Sequence, residues 1–129
     1  MSNQLSPSNK KTLLLSLNTL IRKNGAESLN RIANNEYEKL FFYPPNEKLT
    51  GTESEMLIAL QKNPAIYPVL QKIITNESAR VIFELLNWVD GTGDPDGPWS
   101  GVALVDRTSD EDTEMLHDAF LEAYWETQS

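Results

Sequence analysis

The chain has 129 residues, of which 40% are hydrophobic and 23% charged. That describes one soluble globular domain able to bury a core without disulfides, and it excludes a chain disordered throughout. The net charge is −8, and its excess lies at one end: residues 90–129 hold eleven acids against the single base Arg107.

Residues 1–7 are polar and end at Pro7, which reads as a loose N-terminus. From residue 8 to 129 a single globular domain is expected. Ser8 is placed to cap a first helix and Gly25 to end it in the left-handed conformation. Between them Leu13, Leu17, Leu20 and Ile21 recur at helical spacing. Ser16, Asn18 and Thr19 interrupt this apolar stretch, Arg22 and Lys23 follow it, and no small-x-small cleavage site comes next. It is therefore not read as a signal peptide, and a cytoplasmic protein is expected. No run in the chain reaches the roughly 18 apolar residues of a membrane span.

A second helix carries Leu29, Ile32, Ala33, Tyr37, Leu40 and Phe41 on one face and stops at Pro44-Pro45. Thr52-Glu53-Ser54-Glu55 reads as a capping box for a third, with Met56, Leu57, Ala59 and Leu60. Asn63-Pro64 opens a fourth segment, in which Pro68 either kinks the helix or starts it. Asn76 is placed to cap a fifth. From Val81 to Val89 only Glu84 and Asn87 are polar, so the 77–90 helix is expected to be the buried centre of the fold, with Gly91 as its stop. Glu84 reads as the partner of Arg80 or as a position at the helix edge. Residues 90–101 are turn chemistry at almost every position. Val102–Val105 is short and β-branched and reads as one β segment without an identifiable partner strand. Ser109 is placed to cap a last helix, whose buried face is expected to be Leu116, Ala119, Phe120, Ala123 and Tyr124. The fold class that follows is mainly α: a bundle of about six helices, a long Gly/Pro/Asp loop and one short β segment.

Cysteine is absent and histidine occurs once. Thiolate metal sites, cysteine nucleophiles and paired-histidine chemistry are thereby removed. Glu114 and His117 form a Glu-x-x-His pair, half of a di-iron carboxylate motif, but the second histidine that motif needs does not exist. Asp90, Asp94 and Asp96 resemble a calcium loop in their spacing. Proline or alanine falls where that loop needs its glycine or its bidentate glutamate, so Asx turns are the simpler account. The glycines at 91, 93, 97 and 101 do not lead a strand into a helix, and acids stand among them, which disfavours phosphate. No metal and no cofactor is assigned, and an enzyme is not favoured.

The acids of the last helix carry the functional expectation. Glu111, Glu114, Asp118, Glu122 and Glu126 fall within an arc of about 120° at 100° per residue. Like charges four residues apart cost a helix stability, and Glu122 and Glu126 lie near the negative end of its dipole. Local stability does not account for this stripe. A cationic protein surface would, with Trp125 supplying apolar contact beside the charge. The opposing account is a solvated face. Nucleic acid and anionic membrane are poor partners for such a charge. Two alternatives stand beside the interaction module. One is a ligand- or metal-binding protein centred on Trp88, Asp90, Asp94, Asp96 and Trp99. The tryptophans there would line a pocket or, more simply, pin the loop to the core. The other is a structural homodimer.

Overall fold

A computed structural model describes residues 5–41, 47–107 and 115–127. It contains α1 (Pro7–Ala33), α2 (Gly51–Gln61), α3 (Tyr67–Asp90) and α4 (Leu116–Thr127), with 3-10 turns at Tyr37–Phe41 and Pro64–Ile66. The described residues are 74% helical and include no strand. The mainly α class holds, but with four α-helices among the described residues in place of about six. Contacts divide the chain into two units, residues 1–29 with 67–108 and residues 30–66 with 109–129.

The helix count falls because two expected breaks do not occur. Gly25 lies inside α1 and is buried. A Cβ there would overlap Thr75 Oγ1 and come 3.2 Å from the Gln71 carbonyl oxygen. Glycine is at this position so that α3 can approach, and the helix continues past it. Asn76 likewise sits inside α3, where its side-chain amide donates to the Lys72 carbonyl one turn back, at 2.7 Å.

In the first unit α1 and α3 run antiparallel. Asn24 donates to Ser78 Oγ at 2.8 Å and Gly25 meets Thr75, while Leu14 and Leu17 lie at the level of Leu86 and Ile82. The helices touch most closely at Gly25. Towards the other end they leave a groove of about 410 Å³. Ser6 caps α1, not Ser8: its hydroxyl accepts from the Asn9 amide at 3.2 Å, and Pro7 occupies the first helical position, where its missing N–H costs nothing. Pro68 is tolerated in the first turn of α3 for the same reason. At the other end of α3, Gly91 has φ +77°, the Thr92 amide reaches the Asn87 carbonyl and the Gly91 amide reaches that of Trp88. This is a Schellman ending at the glycine expected to stop the helix.

The expected burial of residues 77–90 does not hold. No residue of α3 is buried, and Val81 and Phe83 are 66% and 65% exposed. A helix whose helical neighbour in its unit is α1 alone covers one stripe and leaves its flanks open. The buried apolar side chains among the described residues are Leu29 and Ile32, at 4% and 8% exposure, one turn apart on α1. Residues 102–105 are not a β segment: all four are exposed and no ladder forms among the described residues. Pro7 is helical, and the Ser6 amide donates to Asp106 Oδ1 at 3.0 Å, which ties residue 106 to the head of α1.

In the second unit α1 ends at Asn35, which takes φ +60°. The Glu36 amide reaches the Arg31 carbonyl at 2.6 Å, and the Asn35 amide that of Ile32 at 3.3 Å. Asparagine here fills the left-handed position of a Schellman motif that glycine more often holds. Gln61 closes the same end from α2, donating to the Ile32 carbonyl at 2.8 Å. The capping box of α2 is formed by Thr50 and Glu53, two residues before the expected Thr52 and Glu55: the Thr50 amide meets Glu53 Oε1 at 2.8 Å, and the Glu53 amide meets Thr50 Oγ1 at 3.1 Å. The sequence holds two overlapping boxes, and the earlier one is used. A second apolar hollow, of about 430 Å³, is lined by Ile32, Phe41, Leu57 and Leu60 among others.

Candidate interaction surface

α4 is short, and its residues separate into two rows. Asp118, Glu122 and Glu126 are spaced four apart along one side, and all three are exposed. Leu116, Phe120 and Tyr124 repeat the same spacing two positions away, which on a helix is the opposite side. This second row was expected to be covered. Leu116 is 84% exposed and Phe120 66%, and only Ala119 and Tyr124 of the expected buried face are half-buried.

Trp125 borders the acidic row and is 53% exposed. Its ring meets that of Tyr124 edge-on, with centroids 5.3 Å apart and planes at 74°, which holds the indole against the helix. His117 Nε2 lies 3.4 Å from Asp118 Oδ1, and both side chains face solvent. α4 has no lysine or arginine. Glu111 and Glu114, and the Ser109 cap, lie outside the described residues.

The 90–101 loop is less organised as a site. Asp90, Asp94 and Asp96 are all exposed, and no three potential ligand side chains converge among the described residues. Trp88 is half-buried, and a Cβ at Gly93 would lie 3.6 Å from its Cδ1. Trp99 is 41% exposed. Gly97 and Gly101 take φ +109° and +99°, as turn glycines do. Arg80 forms its ion pair with Glu77, while Glu84 is exposed and acts on Arg80 only through its charge. Its guanidinium donates twice to Glu77 Oε2, at 2.9 and 2.6 Å. That bond, with Glu77's charge, raises the guanidinium's pKa further above its usual value.

One site escaped the sequence reading: the carboxylate of Asp106. It accepts from the Ser6 amide and from the side chains of Asn9 and Ser6, and these bonds hold its pKa below the usual value. The Ser-Pro pair at 6–7 was a legible cap signal, but its partner a hundred positions on was not.

No protein-family model, curated protein or solved structure matches the chain. No helix among the described residues is long and apolar enough to cross a membrane.

Proposed function

We propose that the chain is a non-enzymatic interaction module that engages a cationic protein surface through α4. The observation that carries this reading is the exposed row Asp118, Glu122 and Glu126, with Trp125 at its edge and no cation in the helix. A carboxylate row of this kind raises encounter rates with basic surfaces and weakens with salt, while the indole contributes contact area that salt does not screen. Small acidic inhibitors that occupy phosphate-binding surfaces work by the same physics, and the analogy is one of mechanism. Glu111 and Glu114 extend the acidic side by sequence.

The test is capture from lysate at low and high salt with the wild-type chain and an Asp118→Asn/Glu122→Gln/Glu126→Gln variant. A basic protein should be retained at low salt, released at high salt and lost by the variant, whose far-ultraviolet circular dichroism should match wild type. Equal capture by both chains would remove α4 from the interaction.

A further inference from the structure

We infer that Asp96-Gly97, in the loop after α3, is a site of spontaneous backbone modification, where the main chain passes through a cyclic imide to an isoaspartyl link. Such a reaction needs a side-chain carboxyl or amide and a following main-chain N–H that is free to act as the nucleophile. It also needs no side chain shielding that nitrogen, which glycine provides by lacking a Cβ. The sequence offers three pairs of this kind: Asn24-Gly25, Asp90-Gly91 and Asp96-Gly97. The structure separates them.

Asn24-Gly25 lies inside α1, so the Gly25 N–H is spent in the helix, and the Asn24 amide is tied to Ser78 Oγ at 2.8 Å. Asp90 ends α3, and the Gly91 N–H donates to the Trp88 carbonyl at 3.3 Å in the Schellman ending. Asp94 is followed by Pro95, whose nitrogen carries no hydrogen. Asp96 and Gly97 are both exposed, and neither the carboxylate nor the Gly97 N–H has a hydrogen-bond partner among the described residues. Gly97 takes φ +109°, and a Cβ there would meet nothing within 4 Å. Of the three nucleophiles, the structure leaves this one free.

The chemistry consumes and returns only water. The Gly97 nitrogen bonds to Asp96 Cγ, and one carboxyl oxygen leaves as water with the amide hydrogen and a proton from solvent. Water then opens the five-membered imide at either carbonyl. Opening at Cγ restores aspartate. Opening at the main-chain carbonyl routes the chain through Cγ, lengthens it by one methylene and leaves a free α-carboxylate. That methylene falls between α3 and Asp106, whose carboxylate holds the Ser6 amide.

The test ages the folded, full-length chain at neutral pH and digests it with trypsin. The peptide from Val81 to Arg107 carries both Asp-Gly pairs. Isoaspartate is read by methyl transfer from labelled S-adenosylmethionine with an isoaspartyl methyltransferase, and its position by fragmentation in the mass spectrometer. It should accumulate at residue 96 several-fold faster than at 90, with Asn24 unchanged and the imide visible as a peptide lighter by one water. Gly97→Ala should slow the reaction at 96 several-fold with helix content unchanged. In urea, residue 90 should react as fast as 96. No isoaspartate at 96, or equal rates at 90 and 96 in the folded chain, would overturn the proposal. A preference for 96 that persists in urea would refute the fold as its cause.

Discussion

Ser6 donates its backbone amide to Asp106 at 3.0 Å across a hundred positions of sequence. The carboxylate sits at the head of α1, where free N–H groups and the positive end of the helix dipole favour an anion. It joins the stretch after α3 to the start of α1 and closes the first unit into a ring of contacts. Asp106→Asn should lower the melting temperature at neutral pH and speed tryptic cleavage after Arg107, measured by limited proteolysis.

The same carboxylate gives a pH signature with a definite sign. The Ser6 amide, Asn9 and the Ser6 hydroxyl hold its pKa below the ordinary value. Its stabilisation is therefore complete above the ordinary carboxylate pKa of about 3.9 and is lost as pH falls through the lowered folded value. Melting temperatures of wild type and Asp106→Asn should differ by a constant amount near neutrality and converge in acid. A difference that grows in acid would contradict the assignment.

Gly25 sits where α1 and α3 come closest. Alanine gains about 1 kcal/mol of helix propensity over glycine, but its methyl would collide with Thr75, and overpacking of that kind costs about 1–3 kcal/mol. Gly25→Ala should be destabilising on balance in chemical denaturation, and Gly25→Val more so. Adding Thr75→Ala should recover part of the loss, since it removes the atom the new methyl would meet.

The two overlapping capping boxes can be told apart. Thr50 forms both of its bonds with Glu53, so Thr50→Ala should cost about 1 kcal/mol, the usual loss for a cap hydroxyl. Thr52→Ala, inside the first turn, should change stability by no more than about 0.5 kcal/mol. Equal effects in urea titrations would mean that the box is not confined to Thr50.

Asn35 holds a left-handed backbone at the end of α1. Asn35→Ala should cost about 1–2 kcal/mol, the strain of that conformation for a residue with a Cβ and no local bonding. Asn35→Gly should stay close to wild type, because the conformational relief offsets the lost 3.3 Å contact with Gln61. Thermal melts of the pair, compared with wild type, report the sign directly.

The helical class was readable because apolar spacing, proline and capping act within a few residues. Gly91 and Pro68 kept their expected roles for that reason. Gly25 and Asn76 did not, since their reasons are not those of chain ends: one admits a neighbouring helix, and the other bonds back into its own turn. The acidic row of α4 could be seen in its spacing. The exposure of Phe120 could not, because periodicity marks an apolar face without saying what covers it. Asp106 was invisible because its partners lie at the far end of the chain.

The first unit is discontinuous: residues 1–29 pair with 67–108, and residues 30–66 lie between them. During synthesis α1 leaves the ribosome before α3, the helix that covers it. Leu14, Leu17 and Ile21 must wait for α3, and the Ser6 amide must wait for Asp106. The second unit's share of residues 30–66 is by then already made. Folding from the N-terminus onward is the usual order for nascent chains, but here α1 is completed only after α3 has been made. For that interval the apolar residues of α1 have no partner helix to cover them, the state in which a chaperone or another nascent copy would meet them.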